Sequence, residues 1–419
     1  MKPLPLFLPC AGGVEALLAD EVRGMLASTG LAPGAVQAGP GGVLLAAGWQ
    51  AVLQLNLHSR LAQRVLVQLA HQPYQTEHDL YAAAREVPWE QWFTPRERFR
   101  IDLTAQHSPL KSLNFAALRI KDAVADRFRD RAGVRPDVDT QRPDVRIHLH
   151  LSATEATISI DTSGEPLFKR GWRQDKGDAP LKETLAAAML AACGWTHGCE
   201  DGVPLYDPCC GSGTIAIEAA QIACRIAPGQ QRRFGFERLL PFEPRAWADL
   251  RQQALAAQRA PLAPVHGSDV AFRMVDFAQR NAGRAGVAHA VQLRGGDALQ
   301  RLPPCERPGI VLMNPPYGDR IEVAGVAGAL AREQAQGSDG GDFFVQLAAH
   351  WKKHYAGWTA WVLTPDAKLP SRMRLKESRR VPMWNGPIEC RLLRFDMVRG
   401  SARRGAAEAT AATPTDPAA

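Results

Sequence analysis

A chain of 419 residues is too long for one hydrophobic core, so two or three domains are expected, and apolar residues at 46% exclude a disordered or fibrous class. The net charge of +7 favours a polyanionic partner, while no uninterrupted apolar stretch approaches the roughly 18 residues of a membrane span. The eight Cys show no paired metal spacing, Cys209 and Cys210 being adjacent without CxxC or His neighbours, so they read as reduced and structural and imply no metal.

The N-terminal apolar run is broken by three prolines and followed by Glu15 and Asp20, a poor signal peptide, and a cytoplasmic location is expected. Residues 4–8 read as a strand, Gly12 to Leu26 as an amphipathic helix led by a glycine turn, and Gly41 to Ala46 as a second strand. Apolar residues at helical spacing continue from Val52 to Leu69, overlapping a strand-like stretch at Arg64 to Leu69. His58, His71 and His78 have no acid or Cys at metal spacing and read as surface or core residues.

Beyond Pro73, Phe99 to Ala105 reads as a strand, Asn114 to Arg129 as a long helix, and Val145 to Leu151 and Ala156 to Ile160 as two alternating strands. Lys111, Arg119, Lys121, Arg127, Arg129 and Arg131 make this region cationic, as phosphate contacts require. Asp122, Asp126 and Asp130 are interleaved, so a solvated helix face remains open. Gly164 to Arg173 turns into the second half, where Arg170 and Arg173 are candidates for phosphate or substrate, and Pro180 to Leu190 begins a helix.

Val203 to Tyr206 is a buried-strand pattern that ends in Asp207. A tight turn through Cys209, Cys210, Gly211 and Gly213 follows, and an alanine-rich run of helical length then opens at Thr214. Strand, glycine turn and helix in that order bring backbone close to a ligand at a helix N-terminus, a pattern shared by nucleoside and dinucleotide sites. A Phe- and Trp-rich segment, Arg225 to Ala260, pushes the next strand, Val265 to Asp269, well past the roughly 20-residue spacing of a dinucleotide fingerprint. Asp269 still ends a strand before a helix (Phe272 to Ala282), placed to accept both ribose hydroxyls, with helix capping as the competing role. A strand at Ala290 to Leu293 leads to Asp297 and Ala298, which open a short helical run.

Gly309 to Met313 is a further buried strand, tipped by Asn314-Pro315-Pro316-Tyr317. The prolines fix the backbone so that the Asn314 amide and the Pro315 carbonyl point outward as rigid acceptors. An exocyclic amine on a planar ring is a poor nucleophile because its lone pair is delocalised. Two acceptors on its N–H bonds, with Tyr317 stacked on the base, localise that pair toward a methyl donor. Phe343 to Tyr355 reads as a helix, Thr359 to Leu363 as a strand, Val381 to Val398 as a hairpin turned at Asn385-Gly386, and Ser401 to Ala419 as a disordered tail.

With these motifs in view the chain resembles the class I S-adenosylmethionine-dependent methyltransferases that act on amino groups. The resemblance narrows to the THUMP-domain RNA methyltransferases, and most closely to the bacterial large-subunit rRNA guanine methyltransferases of the RlmL type. Phe168 to Arg173, Ala179 to Ala187, Asp207 to Ala220, Gly267 to Asp269, Asn314 to Gly318 and Asn385 to Cys390 carry it. Some such proteins carry a second methyltransferase, for which a chain ending at residue 419 is expected to have no room.

The resemblance implies an α/β protein in four parts: a ferredoxin-like domain over 1–59, a THUMP RNA-binding domain over 60–164, a Rossmann-like methyltransferase domain over 165–400 and a tail over 401–419. The methyltransferase sheet is expected to have seven mostly parallel strands with a terminal antiparallel hairpin. The implied cofactor is S-adenosylmethionine, held by Asp207, Cys209, Cys210, Gly211, Gly213, Thr214, Asp269, Asp297, Ala298 and Asn314, with Asp297 on the adenine amino group. Asn314, Pro315 and Tyr317 are the implied catalytic residues, and Lys111, Arg119, Lys121, Arg127, Arg170 and Arg173 the RNA contacts. The implied reaction is methylation of the 2-amino group of a guanine in RNA, with 23S rRNA as the expected partner. A tRNA guanine, a DNA adenine or a protein glutamine as acceptor, and a non-catalytic rRNA assembly factor, are the other readings. The first 165 residues argue against DNA and protein acceptors, and the retained acids and Asn314 argue against a decayed enzyme.

Overall fold

The computed structural model describes residues 3–27, 35–177, 180–315 and 341–398. The expected Tyr317 and the tail 401–419 lie outside the described residues. Two seven-stranded sheets organise what is described.

The first sheet runs β2-β3-β1-β4-β7-β6-β5. Its first half comprises β1 (Leu4–Pro9), β2 (Gln37–Gly39) and β3 (Gly42–Ala47), with α1 (Glu15–Leu26) and α2 (Trp49–His58) packed on it. Its second half comprises β4 (Leu66–Pro73), β5 (Phe99–Ala105), β6 (Val145–Leu151) and β7 (Glu155–Asp161), with α3 (Glu77–Glu86) and α4 (Leu113–Ala132) against it. α3 starts at a reciprocal cap, the Thr76 hydroxyl accepting from the Asp79 amide while Asp79 accepts from the Thr76 amide. α4 ends on Gly133 at φ 70, the left-handed position glycine takes without a Cβ penalty. β4 pairs with β1 on one side (Leu6 opposite Val67) and with β7 on the other (Val67 opposite Ile160), so no seam divides the two halves. The helical spacing from Val52 to Leu69 therefore breaks at His58, because Leu66 and Val67 are claimed by strand pairing on both sides and Gln68 by β7.

The second sheet runs β10-β9-β8-β11-β12-β14-β13. β8 (Leu205–Asp207), β9 (Val265–Asp269), β10 (Val291–Gly295), β11 (Ile310–Met313) and β12 (Thr359–Thr364) are parallel, and β13 (Arg379–Asn385) and β14 (Ile388–Asp396) close the edge as an antiparallel hairpin turned at Gly386. Its helices are α5 (Glu183–Ala192), α6 (Trp195–Gly198), α7 (Thr214–Ala223), α8 (Pro244–Ala256), α9 (Phe272–Arg284), α10 (Gly341–His354) and α11 (Leu369–Met373). β2, α6 and α11 are short and were not expected. Asp297 opens a turn rather than a helical run.

One apolar cluster runs from Leu6 and Leu8 through Phe99 and Ile158 to Leu185, Ile217 and Val265, so the two sheets share buried surface. A second cluster, with Tyr206, Val311, Met313, Trp351 and Tyr355, fills the other face of the parallel sheet. The chain order reverses between β8 and β11, and in doubly wound sheets that reversal opens a crevice at the strands' carboxyl ends. Among the described residues, no helix is long and apolar enough to cross a membrane.

Candidate active site

Four adjacent strands carry the candidate residues at their carboxyl ends. In the order β10, β9, β8, β11 these are Asp297, Asp269, Asp207 and Asn314, with Gly295 level with Asp269 and Asp207 level with Gly267. Residues more than 100 apart in sequence are thereby set side by side at one sheet edge.

Asp207 is 1% exposed, and its Oδ1 accepts from the Cys209 amide at 3.2 Å. Burial first, and the Asp269 charge second, raise its carboxyl pKa to about 8. Asp269 accepts from Gly211 N–H and from Ala271 N–H, both at 2.9 Å, so it ties the glycine turn to the start of α9. Burial also raises its pKa. Asp297 Oδ1 accepts from the Leu299 amide at 2.9 Å. Ala298 is buried in the second apolar cluster and contributes packing.

The glycine turn differs from the expected arrangement of outward-pointing donors. The amides of Cys209, Cys210, Gly211 and Gly213 donate to Asp207 Oδ1, the Ser268 carbonyl, Asp269 Oδ2 and the Cys210 carbonyl, so the turn is closed on itself. What it offers instead is space. A Cβ at Gly211 (φ 53) would meet nothing within 4 Å, whereas one at Gly213 (φ 91) would lie 2.9 Å from the Ala278 Cβ, so Gly213 is what lets α9 approach. Burial raises the Cys209 and Cys210 thiols well above the usual range, and both stay protonated.

Two expected RNA contacts are placed elsewhere. Arg170 is 2% exposed, its Nε donating to Glu218 Oε1 at 3.1 Å and its Nη2 to the Arg60 carbonyl at 2.7 Å. Arg173 donates to Glu183 at 2.8 Å, Thr214 Oγ1 at 2.8 Å and Ser212 Oγ at 3.2 Å, behind the glycine turn. A guanidinium with its donors consumed in the interior has nothing left for a phosphate, so both are corrected from RNA contacts to internal braces. Asn281 completes this brace, its Nδ2 donating to the Ser212 carbonyl at 3.0 Å and the Asp175 carbonyl at 2.8 Å.

The candidates on α4 are also largely engaged. Arg127 forks onto Glu90 at 2.7 and 2.9 Å, Lys121 pairs with Asp122 at 2.8 Å, and Arg119 lies over the Tyr81 ring at 4.4 Å. The bidentate pair makes Arg127 a brace to the Trp89–Gln91 turn, and the outward phosphate role expected of it is withdrawn. Lys111 is exposed.

Phe272 is a further site candidate that the sequence reading does not name as one. It opens α9 three residues after Asp269, is 72% exposed, and lies so close to Gly295 that a Cβ there would come within 2.5 Å of its ring. A bulky aromatic left open at a helix start, just past a strand-ending acid, was the available signal.

Models of three families match the chain: the RlmL ferredoxin-like domain over residues 5–66, the THUMP domain over 74–161, and the RMKL-like methyltransferase domain over 170–394. The protein named ribosomal RNA large subunit methyltransferase K/L of Pseudomonas paraeruginosa is 36% identical over 395 residues, 93% of this chain and 52% of its own length. Its Shewanella loihica namesake is 38% identical over 370 residues, 87% of this chain and 49% of its own. The chain thus spans about half the length of these relatives. A Synechocystis sp. protein whose name refers to RNA methylation is 35% identical over 397 residues, 94% of this chain and 97% of its own.

Among solved structures, a methyltransferase-titled chain complexed with SAH is 25% identical with TM-score 0.79, covering 96% of this chain and 100% of that one. A Listeria monocytogenes structure titled an N6-adenine-specific DNA methylase is 28% identical with TM-score 0.78, covering 94% and 96%. The chain belongs to the RMKL-like methyltransferase family, with ferredoxin-like and THUMP domains ahead of a Rossmann-like methyltransferase domain.

Proposed function

We propose that the chain transfers a methyl group from S-adenosylmethionine to the exocyclic 2-amino group of a guanine in RNA, with 23S rRNA as the substrate. The observation that carries this reading is the row Asp297, Asp269, Asp207, Asn314 on four adjacent strands, in a molecule that also carries a THUMP domain over residues 74–161.

The residues fit the cofactor. Each Asp269 oxygen takes one backbone N–H and keeps a lone pair for a ribose hydroxyl. Asp297 is placed for the adenine amine, the exposed Phe272 ring for the adenine face, and the open side of Gly211 for close backbone approach. When bound, the cofactor supplies an activated methyl group. The chain's part is positioning: Asn314 Oδ1 and the Pro315 carbonyl accept the amine N–H bonds and turn its lone pair outward, Tyr317 stacks on the base, and the proton leaves afterwards to water or a tip acceptor. Adenine satisfies the same two acceptors, so the choice of guanine rests on the resemblance to the rRNA guanine methyltransferases of the RlmL type, and the relatives named for large-subunit rRNA support only the RNA class. The domain limits 1–59, 60–164 and 165–400 stand as part of this proposal, with cytoplasmic rRNA as its setting.

Asn314→Ala is expected to retain cofactor and RNA binding and to lose several powers of ten in single-turnover rate. Mass spectrometry of digested rRNA reads both halves: a near-normal rate in the variant removes the mechanism, and methyl-adenine in the wild-type product removes the base assignment.

A further inference from the structure

A cationic stripe on the methyltransferase domain has no part in the site described above. Between Asp366 and Arg380 the chain presents Lys368, Arg372, Arg374, Lys376, Arg379 and Arg380, all exposed. Arg372 pairs with Asp366 at 3.4 Å and Arg380 with Glu377 at 2.6 Å, and among the described residues no ion pair engages Lys368, Arg374, Lys376 or Arg379. Lys352 of α10 donates to the Arg374 carbonyl at 2.9 Å and adds its charge. The cations of α4, by contrast, are largely neutralised: Lys121, Arg127 and Arg129 all have acidic partners.

Arg374 caps α11 in the left-handed region at φ 48, where glycine is unstrained. An exposed long cation kept at such a position is backbone strain of the kind found at functional sites. Arg379, Arg380 and Pro382 lie on the edge strand β13 and also guard it against pairing with another sheet. Lys368, Arg374 and Lys376 lie off the strand, so edge protection does not account for them.

The register places the stripe. β12 is parallel to β11 with Val362 opposite Met313, so β12 ends at Thr364 beside the Asn314 tip, and the cationic segment starts there. It finishes where Arg379 faces Arg394, which in turn faces Trp361. That is about 10 Å down the strands and about 10 Å across them.

We propose that Lys368, Arg374, Lys376 and Arg379 form a phosphate track by which the methyltransferase domain itself holds the RNA strand leading away from the target base. The proposal rests on the RNA-methylation reading and adds a second contact surface to it. Removal of a phosphate contact lowers the log–log salt slope by about 0.7 on single strands and about 0.9 on duplex.

The test uses the full chain, an unmodified 23S rRNA transcript, and filter binding across a potassium chloride series. In Lys368→Gln/Arg374→Gly/Lys376→Gln the slope is expected to fall by about 2–3 and low-salt affinity by at least ~10-fold, with S-adenosylmethionine titration unchanged. Arg374→Gly relieves the left-handed strain. Should the triple variant nevertheless lose cofactor binding, Lys368→Gln/Lys376→Gln, which leaves the α11 cap alone, is expected to lower the slope by about 1.4–1.8. A wild-type chain that binds with a steep slope beside variants of unchanged slope and affinity overturns the track and leaves the methylation reading standing. A wild-type chain that does not bind the transcript overturns both.

Discussion

Glu218 Oε2, on the helix that follows the glycine turn, accepts from Arg60 Nη1 at 3.1 Å across 158 residues of sequence. The Arg60 backbone amide in turn donates to Glu21 Oε1 of α1 at 2.8 Å, and Arg170 closes the other side of Glu218. The ferredoxin-like domain is thus fastened to the base of the candidate cofactor site by a buried carboxylate between two guanidiniums. Glu218→Ala leaves two interior cations without their counter-charge and is expected to destabilise by about 3–5 kcal/mol. Urea unfolding measures it, and an Arg60/Glu218 double-mutant cycle near zero would show that the pair is not coupled.

The pH dependence of stability tests Asp207. Its folded-state pKa, raised to about 8 by burial, lies above the ordinary carboxylate value, so the folded chain binds the extra proton. The stability tied to that proton is complete below about pH 4 and is lost as pH rises toward 8. Asp207→Asn, which still accepts from the Cys209 amide, is therefore expected to melt higher than the wild type at pH 8–9 without cofactor, with the gap narrowing toward pH 5. Parallel melting curves from pH 5 to 9 would contradict it.

Cofactor affinity separates Asp269 from Phe272. Asp269→Ala removes two charged acceptors and is expected to cost about 1.5–3 kcal/mol of S-adenosylmethionine binding. Phe272→Ala removes a ring face and is expected to cost about 0.5–1.5 kcal/mol. Calorimetric titration gives both, and a larger loss for Phe272 than for Asp269 would reverse the assignment of the main hold.

Arg173 braces Ser212 and Thr214 from behind, and its expected signature is selective. Arg173→Lys keeps the charge but not the fork. A fall in cofactor affinity of about 10-fold with RNA affinity within about twofold of wild type is the expected result, the 10-fold figure being one lost charged hydrogen bond. Loss of RNA affinity alone would restore the phosphate role.

The sheet edge was legible in the sequence because each of its residues sits in a local pattern: a buried strand, then an acid, a glycine turn or an Asn-Pro tip. Asp207, Asp269, Asp297 and Asn314 could be placed one by one, and parallel pairing did the rest. Charge was legible only as charge. Arg170 and Arg127 read as phosphate contacts because their partners, Glu218 and Glu90, lie 48 and 37 residues away, and nothing local shows which cations meet acids across the fold. The stripe from Lys368 to Arg380 went unread for the converse reason. It lies on a helix of 5 residues and an edge strand, too short for periodicity to mark.

β4, paired on both sides at Leu66 and Val67, joins the two parts of the N-terminal sheet, which are expected to unfold as one unit. A protein cut between residues 59 and 66 parts β1 from Leu66 and Val67 and so leaves the β1-facing side of β4, a strand of 8 residues, without any β1 partner. Such an edge recruits other strands, so separately expressed THUMP modules of this chain should clump unless β1 is supplied in trans. Native hydrogen exchange should likewise find the amides of β1 and β7 opening together, at one free energy, instead of as two independently melting modules.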